Sequence, residues 1–361
     1  MLELSKLTNG KPLSTLAEHL LRTSGLTATF QLDTPKLERF LATIEAGYSN
    51  EVPYHNKAHA ASVLHMTHAL MLHGGVAAIV GSGQHFYKPG SIGSETAATA
   101  ELYPPGSLES LACMFAAIVH DFEHLGLNNG FLVATQHPRA LRYNDMHVNE
   151  SHHVAAAFEV LLLEPDCNFL SALPPAVFAA FRKLVVALVG ATDMAVDKEI
   201  VNNFSQLVAT AKLQAADKNQ MTSAGIGDAN MASNKVAAAE APFVFMPSCE
   251  KEAVAALQLV LKAADLGHLA LPWDQHVGWV QALEAELFLQ GDTETALGKP
   301  TSFLCDRNAP GVTQSQVGFF NFVVNPLYDA LESAFPATNP MVEQVAANGA
   351  AWKAKSTANS D

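Results

Sequence analysis

The sequence contains few charged residues, few cysteines and no long apolar run. Charged side chains make up 16% of the 361 residues, and 35 acidic side chains against 21 basic ones give a formal net charge of −14. This balance argues against electrostatic binding of nucleic acid and against docking on an anionic membrane. The apolar stretches are too short, or too often interrupted by Lys, Gly or His, to insert across a bilayer.

The cysteines and the N-terminus give no sign of secretion. The four cysteines, Cys113, Cys167, Cys249 and Cys305, lie far apart and follow no paired spacing. Residues 1–6 lack the basic segment that precedes the apolar part of a signal peptide. We therefore expect a soluble cytoplasmic protein with reduced thiols. An apolar fraction of 49% is enough for a sizeable core.

The apolar residues are spaced as in α-helices along nearly the whole chain. The clearest helical patterns lie at residues 111–118, 154–162, 254–264 and 279–287. Strand-like alternation bounded by hairpin turns is missing from the sequence. The pattern predicts an all-α fold, a compact multi-helix single domain.

Two segments and the two ends interrupt this helical pattern. Residues 81–107 and 214–242, rich in Gly, Pro, Ser, Asn or Ala, are expected to be loop insertions. Residues 1–29 are expected to form an N-terminal helical extension, and residues 336–361 a flexible tail. The main domain would then cover residues 30–335.

The apolar run at residues 111–119 ends in His120 and Asp121. A histidine and a carboxylate at the end of a buried helix offer a neutral nitrogen and an anionic oxygen together. Divalent metals favour this combination when they must also keep water bound. His124 follows four residues after His120, a spacing that predicts a position on the same helical face.

Two further segments carry potential metal ligands. His55 and His59 are also spaced i, i+4, which predicts one shared helical face, and Asp265 ends the predicted helix at 254–264. Taken singly, such residues are more often core or capping groups. Burying each without a partner costs roughly 2–7 kcal/mol for a neutral group and more for a charged one. One shared cation would remove that cost for all three segments.

The order of these segments resembles a known family. Matching signatures stand at residues 55–60, 120–129 and 262–268, with further likeness at 191–194, 286–292, 304–307 and 314–319. Together they resemble the catalytic domain of the class I 3′,5′-cyclic nucleotide phosphodiesterases. The Tyr-Asn-Asp at 143–145 and the stretch from 304 to 316 are most similar to the calmodulin-stimulated, dual-specificity branch.

The resemblance implies hydrolysis of cAMP, cGMP or both to 5′-nucleoside monophosphates, which ends cyclic nucleotide signals. It implies that a tightly held Zn²⁺ in a deep binuclear pocket is bound by His59, His120, Asp121 and Asp265. Asp121 would bridge to a second metal, Mg²⁺ or Mn²⁺, with mostly water as further ligands. Such a pair clamps the phosphodiester and lowers the pKa of a bridging water, which gives a hydroxide for attack.

The resemblance also implies roles for three residues around the metals. His55 would protonate the departing ribose O3′, because an alkoxide is a poor leaving group. Glu150 matches a glutamate that hydrogen-bonds metal-bound water. His124 matches a histidine that lies near the second metal without being its main ligand.

The remaining implied residues form the pocket for the base. The amide of Gln316 would hydrogen-bond the purine, since it can act as donor or acceptor. Phe319 would stack on one face of the purine and Leu283 would cover the other, while Tyr54 lines the pocket. His268 replaces the asparagine of strictly cAMP-selective relatives, which favours dual specificity.

Some positions depart from the family pattern without removing a metal ligand or the proposed acid, and two alternative functions stay open beside the main one. Asp197 stands where a histidine or another polar residue is usual, and Lys262 has no assigned role. The alternatives are another histidine-aspartate metal phosphohydrolase, or a catalytically silent scaffold that binds cyclic nucleotides. The segment 316–319 argues against the first, and the full ligand set argues against the second. As partners of this chain, we further expect a second copy in a homodimer or a regulatory domain in a longer parent protein.

Overall fold

The protein is all-α, as predicted. The computed structural model describes residues 2–86, 103–224 and 242–358, and these ranges contain helices and no β-strand. The α-helices are α1 (Leu2–Leu7), α2 (Pro12–Thr23), α3 (Leu26–Thr29), α4 (Thr34–Gly47), α5 (Lys57–Leu72), α6 (Val76–Gly81), α7 (Ser107–Val119), α8 (Asn129–Ala134), α9 (Pro138–Arg142), α10 (Val148–Leu163), α11 (Pro175–Gly190), α12 (Asp197–Ala224), α13 (Glu250–Asp265), α14 (Trp273–Ala296), α15 (Val312–Phe319), α16 (Asn325–Ala334) and α17 (Asn339–Ala358). Short 3₁₀ segments at Met194–Val196, Gly267–Ala270 and Pro336–Thr338 and a π segment at Phe320–Val324 join some of them.

Helix α7 lies at the centre of the fold because its sequence is apolar on all sides. Every residue from 111 to 120 is buried, and α7 packs against α5 and α11. Helix α5 packs in turn against α13 and α2. A helix without a polar face is stable only when other helices surround it. The ends of α5, α7 and α13 are therefore fixed by the main core.

The N-terminal helices share this core. Leu13 and Ala17 of α2 are fully buried in the main hydrophobic cluster. The carboxylate of Glu45 on α4 accepts hydrogen bonds from the backbone N–H of Leu13 (2.8 Å) and from the hydroxyl of Ser14. These bonds satisfy donors at the start of α2, which has no side-chain cap of its own. The boundary expected at residue 30 stays a prediction.

The flexible tail expected after residue 336 is wrong for most of its length. Val345, Asn348 and Trp352 of α17 are all buried, at i, i+3 and i+7 positions that share one helical face. The Asn348 amide donates to the carbonyls of Leu269 (2.7 Å) and Leu271 (2.8 Å). These few contacts hold a helix whose average composition is polar.

One of the two expected loop insertions is shorter than predicted. Residues 214–224 continue α12, because their Ala, Gln, Lys and Met residues favour helix. Residues 225–241, and residues 87–102 of the other insertion, lie outside the described residues. Within the described ranges no single helix is long and apolar enough to cross a membrane, although α11 and residues 194–217 meet those criteria as a pair bent by 81°.

Two buried tyrosines hold the C-terminal ends of α7 and α13. The Tyr48 hydroxyl donates to the carbonyl of Ile118 (2.9 Å), one residue before the last residue of α7. The Tyr328 hydroxyl donates to the carbonyls of Ala263 (3.0 Å) and Leu266 (3.2 Å) at the end of α13. The last carbonyls of a helix have no partner within it. The two hydroxyls therefore fix the backbone just before and around the residues that the sequence predicts as ligands.

We expect Tyr48→Phe and Tyr328→Phe each to lower the free energy of unfolding by about 1–3 kcal/mol, because each leaves a buried carbonyl without its hydroxyl donor. Urea denaturation measures this change. Thr43→Ala is the control, since the Thr43 hydroxyl bonds to Arg39 at an exposed site. Equal stability of the tyrosine variants and the control would contradict this role.

Candidate active site

Three helix ends bring four predicted ligands together. His59 lies in the first turn of α5, His120 and Asp121 directly follow α7, and Asp265 is the last residue of α13. His59, His120 and Asp121 are buried and Asp265 is nearly so. Residues far apart in the sequence thus share one buried cluster, as the sequence predicted.

The spacing of the four donor atoms fits a single tetrahedral ion. His59 Nε2 lies 3.2 Å from His120 Nε2, 3.3 Å from Asp121 Oδ2 and 3.0 Å from Asp265 Oδ1. His120 Nε2 lies 3.0 Å from Asp121 Oδ2 and 3.4 Å from Asp265 Oδ1. A tetrahedral ion with bonds of about 2.0–2.1 Å has ligand–ligand distances of about 3.3–3.4 Å. The donors therefore surround a space of the size that a metal ion takes.

The charges in this cluster also call for a cation. His120 Nδ1 donates to the carbonyl of Ala117 (3.0 Å), which turns the other ring nitrogen towards the cluster. Asp121 Oδ2 is buried and accepts no hydrogen bond. Burial lowers the pKa of His120, but the charges of Asp121 and Asp265 outweigh this effect and raise the pKa to well above its usual range. The two carboxylates thus favour positive charge at this point, and a metal ion would supply it.

Asp121 also faces a second group of residues. Its Oδ1 lies 3.8 Å from Nε2 of His153, and the His153 Nδ1 donates to the carbonyl of Phe122 (2.6 Å). His153 Nε2 therefore carries only a lone pair, and it is buried without a hydrogen-bond partner. Two acceptors that face each other require a cation or a water between them. The sequence analysis did not select His153, although the adjacent histidines after Glu150 were a signal.

His124 lies beside this second group but is suited to donate. Its Nδ1 accepts a hydrogen bond from the backbone N–H of Gly126 (2.9 Å), so the neutral ring carries its proton on Nε2. Burial, followed by the neighbouring His55, lowers the pKa of His124 to about 3. His124 can therefore donate a hydrogen bond beside the four-residue cluster, and its place near a second metal stays a prediction.

The predicted i, i+4 helical faces are wrong for both histidine pairs. Helix α5 begins after His55 because the side chain of Asn56 caps it, accepting from Ala58 N (2.9 Å). Helix α7 ends before His120, and His124 follows a turn. The histidines meet through the tertiary fold instead, with the His55 and His124 rings stacked at 4.1 Å.

Glu286 holds His55, and the sequence analysis gave it no role. Glu286 Oε1 lies 2.5 Å from His55 Nδ1, while Oε2 accepts from the backbone N–H groups of Tyr54 (2.8 Å) and His55 (3.0 Å). Burial lowers the pKa of His55, but Glu286 and then Asp121 raise it to about 9. The ring therefore keeps a proton and leaves Nε2 free of Glu286. The only sequence signal was the position of Glu286 within the family-like segment 286–292.

Glu150 lies in a neighbouring group with His147 and Asp193. Its Oε2 accepts from the Asn129 amide (2.9 Å), and ligand atoms of the three residues lie within 4.8 Å of one another. Burial and then the Asp193 charge raise the pKa of Glu150 to about 7. His147 Nδ1 lies 2.7 Å from Asp193 Oδ2. The catalytic role of Glu150 stays a prediction.

The residues predicted to hold the base lie on α14, on α15 and in the segment just before α5. Gln316 is buried, its Nε2 donates to the carbonyl of Val312 (3.1 Å), and its Oε1 has no partner. Leu283 on α14 and Phe319 on α15 are half-buried against the main core. Tyr54 is buried with its ring 4.7 Å from that of His59. Contact of these side chains with a purine stays a prediction.

A chain of three rings connects this region to the C-terminal helix. The Trp352 Nε1–H donates to His276 Nε2 (2.7 Å), and His276 Nδ1 lies 3.1 Å from His268 Nδ1. The indole nitrogen can only donate, so His276 Nε2 accepts and the neutral ring carries its proton on Nδ1. That N–H donates a hydrogen bond to His268 Nδ1. Burial lowers the pKa of both histidines, to about 4 and about 3. His268 is therefore a neutral ring with its proton on Nε2. The sequence analysis selected neither His276 nor Trp352.

Comparison with known proteins agrees with these features. Residues 54–345 match the family model described as 3′5′-cyclic nucleotide phosphodiesterase. The chain is 31% identical over 329 residues to the dual specificity calcium/calmodulin-dependent 3′,5′-cyclic nucleotide phosphodiesterase 1B of Mus musculus, covering 91% of the chain and 50% of that protein. It is 32% identical over 343 residues to the human enzyme 1C, covering 94% of the chain and 40% of that protein. The chain thus spans half or less of the length of these curated relatives.

A solved structure gives the same result for the fold. The phosphodiesterase domain of the RhoPDE fusion protein from the choanoflagellate Salpingoeca rosetta superposes with a TM-score of 0.73 at 25% identity, covering 96% of this chain and 92% of that one. The resemblance predicted from the signatures is therefore confirmed, including the likeness to the calcium/calmodulin-dependent, dual-specificity members. The chain belongs to the 3′,5′-cyclic nucleotide phosphodiesterase family.

Proposed function

We propose that this chain hydrolyses 3′,5′-cyclic nucleotides to 5′-nucleoside monophosphates. The observation that carries the proposal is the cluster of four donor atoms, 3.0–3.4 Å apart along the five measured edges, beside the His55–Glu286 pair. A metal centre next to a proton donor is what cleavage of a phosphodiester requires. Family membership supports the same reaction.

The donor set supports Zn²⁺ in the four-donor cluster, bound by His59, His120, Asp121 and Asp265. Two imidazole nitrogens with two carboxylate oxygens in a tetrahedral arrangement suit zinc. Asp121 Oδ1 faces away towards His153 Nε2, 3.8 Å away, and a Mg²⁺ or Mn²⁺ ion at this position would take that carboxylate oxygen and complete its ligand shell mostly with water. When bound, such ions polarise the phosphate oxygens and lower the pKa of a bound water.

The chain's own residues would handle the proton of the leaving group. His55 Nδ1 is held by Glu286, which fixes the ring and keeps it protonated at neutral pH. Its Nε2–H can therefore donate to the ribose O3′ as the P–O bond breaks. Glu286 also binds the backbone of Tyr54 and His55, so one carboxylate sets both the position and the charge of the acid.

We extend the proposal to both cAMP and cGMP as substrates. Gln316 Oε1 is free, and the amide can offer either an acceptor or a donor to a purine. His268 offers an Nε2–H donor, and adenine and guanine both carry an acceptor at N7. Neither group excludes one of the two bases. The similar relatives from mouse and human are named as dual-specificity enzymes, which supports this reading.

Incubation of the purified chain with each cyclic nucleotide and Mg²⁺ or Mn²⁺, followed by chromatography, tests the proposal. We expect 5′-AMP from cAMP and 5′-GMP from cGMP. A zinc-loaded protein that binds cyclic nucleotide without turnover would identify a silent binding module instead. Turnover of linear phosphodiesters in preference to cyclic ones would identify a different phosphohydrolase.

We expect Asp121→Ala to abolish metal binding and hydrolysis together, because both oxygens of Asp121 face the metal groups. Metal content by mass spectrometry and kcat/KM with cAMP measure the two losses. Asp292→Ala is the matched control, since this exposed carboxylate pairs with Arg307. A variant that lost activity while keeping its full metal content would show that Asp121 is not a ligand.

We expect His55→Ala to keep the metals and lower kcat by roughly 10²–10⁴-fold, the usual contribution of a general acid. Glu286→Gln should lower kcat in the same direction, because it removes the charge that keeps His55 protonated. Steady-state kinetics and metal analysis on the same samples separate the roles. Loss of metal from His55→Ala would show that His55 is a ligand rather than the acid.

We expect Trp352→Phe to change the ratio of kcat/KM for cAMP and cGMP, because His276 and His268 lose the donor that sets their tautomers. Loss of one hydrogen bond of about 0.5–1.5 kcal/mol corresponds to roughly a 2–13-fold change in the ratio. Lys353→Ala, an exposed change on the same helix, should leave the ratio unchanged. An unaltered ratio in Trp352→Phe would exclude this link to base selection.

A further inference from the structure

Lys262 is a buried lysine that the proposed chemistry does not use. It lies in the last turn of α13, three residues before Asp265, and is only 1% exposed. Among the side chains that the structure describes, no other lysine or arginine is buried. An ammonium group removed from water is costly unless it is paired. Its surroundings therefore indicate why the chain keeps it there.

Lys262 forms an ion pair with Asp197, the first residue of α12. The Lys262 Nζ lies 3.2 Å from Asp197 Oδ1, and it also donates to the carbonyl of Asp193 (3.4 Å). Asp197 is itself buried. Buried ion pairs are often no more stable than well-packed apolar side chains of similar volume. Stability alone therefore does not account for this pair.

The partners of Lys262 flank the 3₁₀ segment Met194–Val196, and one of them, Asp193, also contacts His147, the residue before α10. Asp193 Oδ1 accepts from Ala195 N (2.8 Å), while its Oδ2 pairs with His147 at the start of α10. The first turn of α10 carries Glu150. The end of α13 and the start of α10 are thus joined through one short segment, and each carries a residue of the candidate site.

Asp265 depends on the orientation of the turn that contains Lys262. Its Oδ1 must lie 3.0 Å from His59 Nε2 and 3.4 Å from His120 Nε2 to complete the four-donor cluster. Ligands must be held within about 0.5 Å of the productive geometry. A buried ammonium must stay within reach of its acceptors, so the contacts of Lys262 with Asp197 and with the Asp193 carbonyl restrict the rotation of the last turn of α13 more than an apolar contact would.

We propose that the Lys262–Asp197 pair is a positioning element for the metal site, which orients the end of α13 so that Asp265 completes the cluster. Asp197 and Lys262 would then act together, which gives a role to the aspartate that departs from the family pattern. The inference rests on the proposed function only in that the four-donor cluster binds a metal ion.

The test replaces both members of the pair by apolar residues, as Lys262→Met with Asp197→Leu. We expect a melting temperature equal to or above that of the unchanged protein, and a Zn²⁺ affinity lowered at least roughly tenfold, as for other residues that orient metal ligands. The affinity is measured by competition with a chelator. With cAMP, kcat should fall while KM changes little, because the base pocket is intact.

The matched control is the exposed pair Lys183–Glu250, which joins α11 to the first residue of the same helix α13. Lys183→Met with Glu250→Gln should leave both Zn²⁺ affinity and kcat unchanged. Lys262→Arg is a second test variant that keeps the charge but alters the donor geometry. It should retain near-normal stability with weaker Zn²⁺ binding, and it decides the question if the double variant does not fold.

Unchanged Zn²⁺ affinity in the folded double variant, or in Lys262→Arg, would overturn the proposal and leave a purely structural pair. The outcome is separable from the proposed function. If the unchanged chain binds Zn²⁺ but hydrolyses no cyclic nucleotide, the proposed function fails. The positioning role is still decided by the Zn²⁺ affinities of the variants.

Discussion

The structure depends on four potential metal-ligand atoms that converge on one point. Three helix ends supply them, from His59, His120, Asp121 and Asp265, and neighbouring atoms lie as close as 3.0 Å. Atoms of like polarity at this distance repel one another unless positive charge lies between them. The surrounding fold must therefore hold each helix end against that repulsion. The hydroxyls of Tyr48 and Tyr328 do this at the backbone of α7 and α13.

The two oxygens of Asp121 face two different groups of residues. Oδ2 faces the four-donor group, whereas Oδ1 faces the lone pair of His153. One carboxylate thus borders two positions that attract cations. Beside this cluster, Glu286 holds the His55 ring and favours its protonated form. Charge stabilisation and proton donation are assigned to different residues, which is why separate variants can distinguish them.

The sequence predicted the helical fold and the four clustered residues because that information is local. Each ligand lies inside a short signature at the end of an apolar helix. The helix starts were less predictable, since Asn56 caps α5 and places His55 outside it. The His55–Glu286 contact joins positions 231 residues apart, so no local pattern reveals it. Burial of Lys262 was hidden for the same reason, because its partner lies on another helix.

The C-terminal helix shows why composition misjudged the end of the chain. Its residues are mostly small or polar, yet Val345, Asn348 and Trp352 on one face are enough to dock it. Docking also places the Trp352 indole against His276, which in turn fixes the proton of His268. A segment with little apolar surface can thus fix the tautomer of His268, which we propose to lie near the base. Undocking α17 would therefore disturb His268 and His276 before it disturbed the four-residue cluster, because none of those four residues lies on α17.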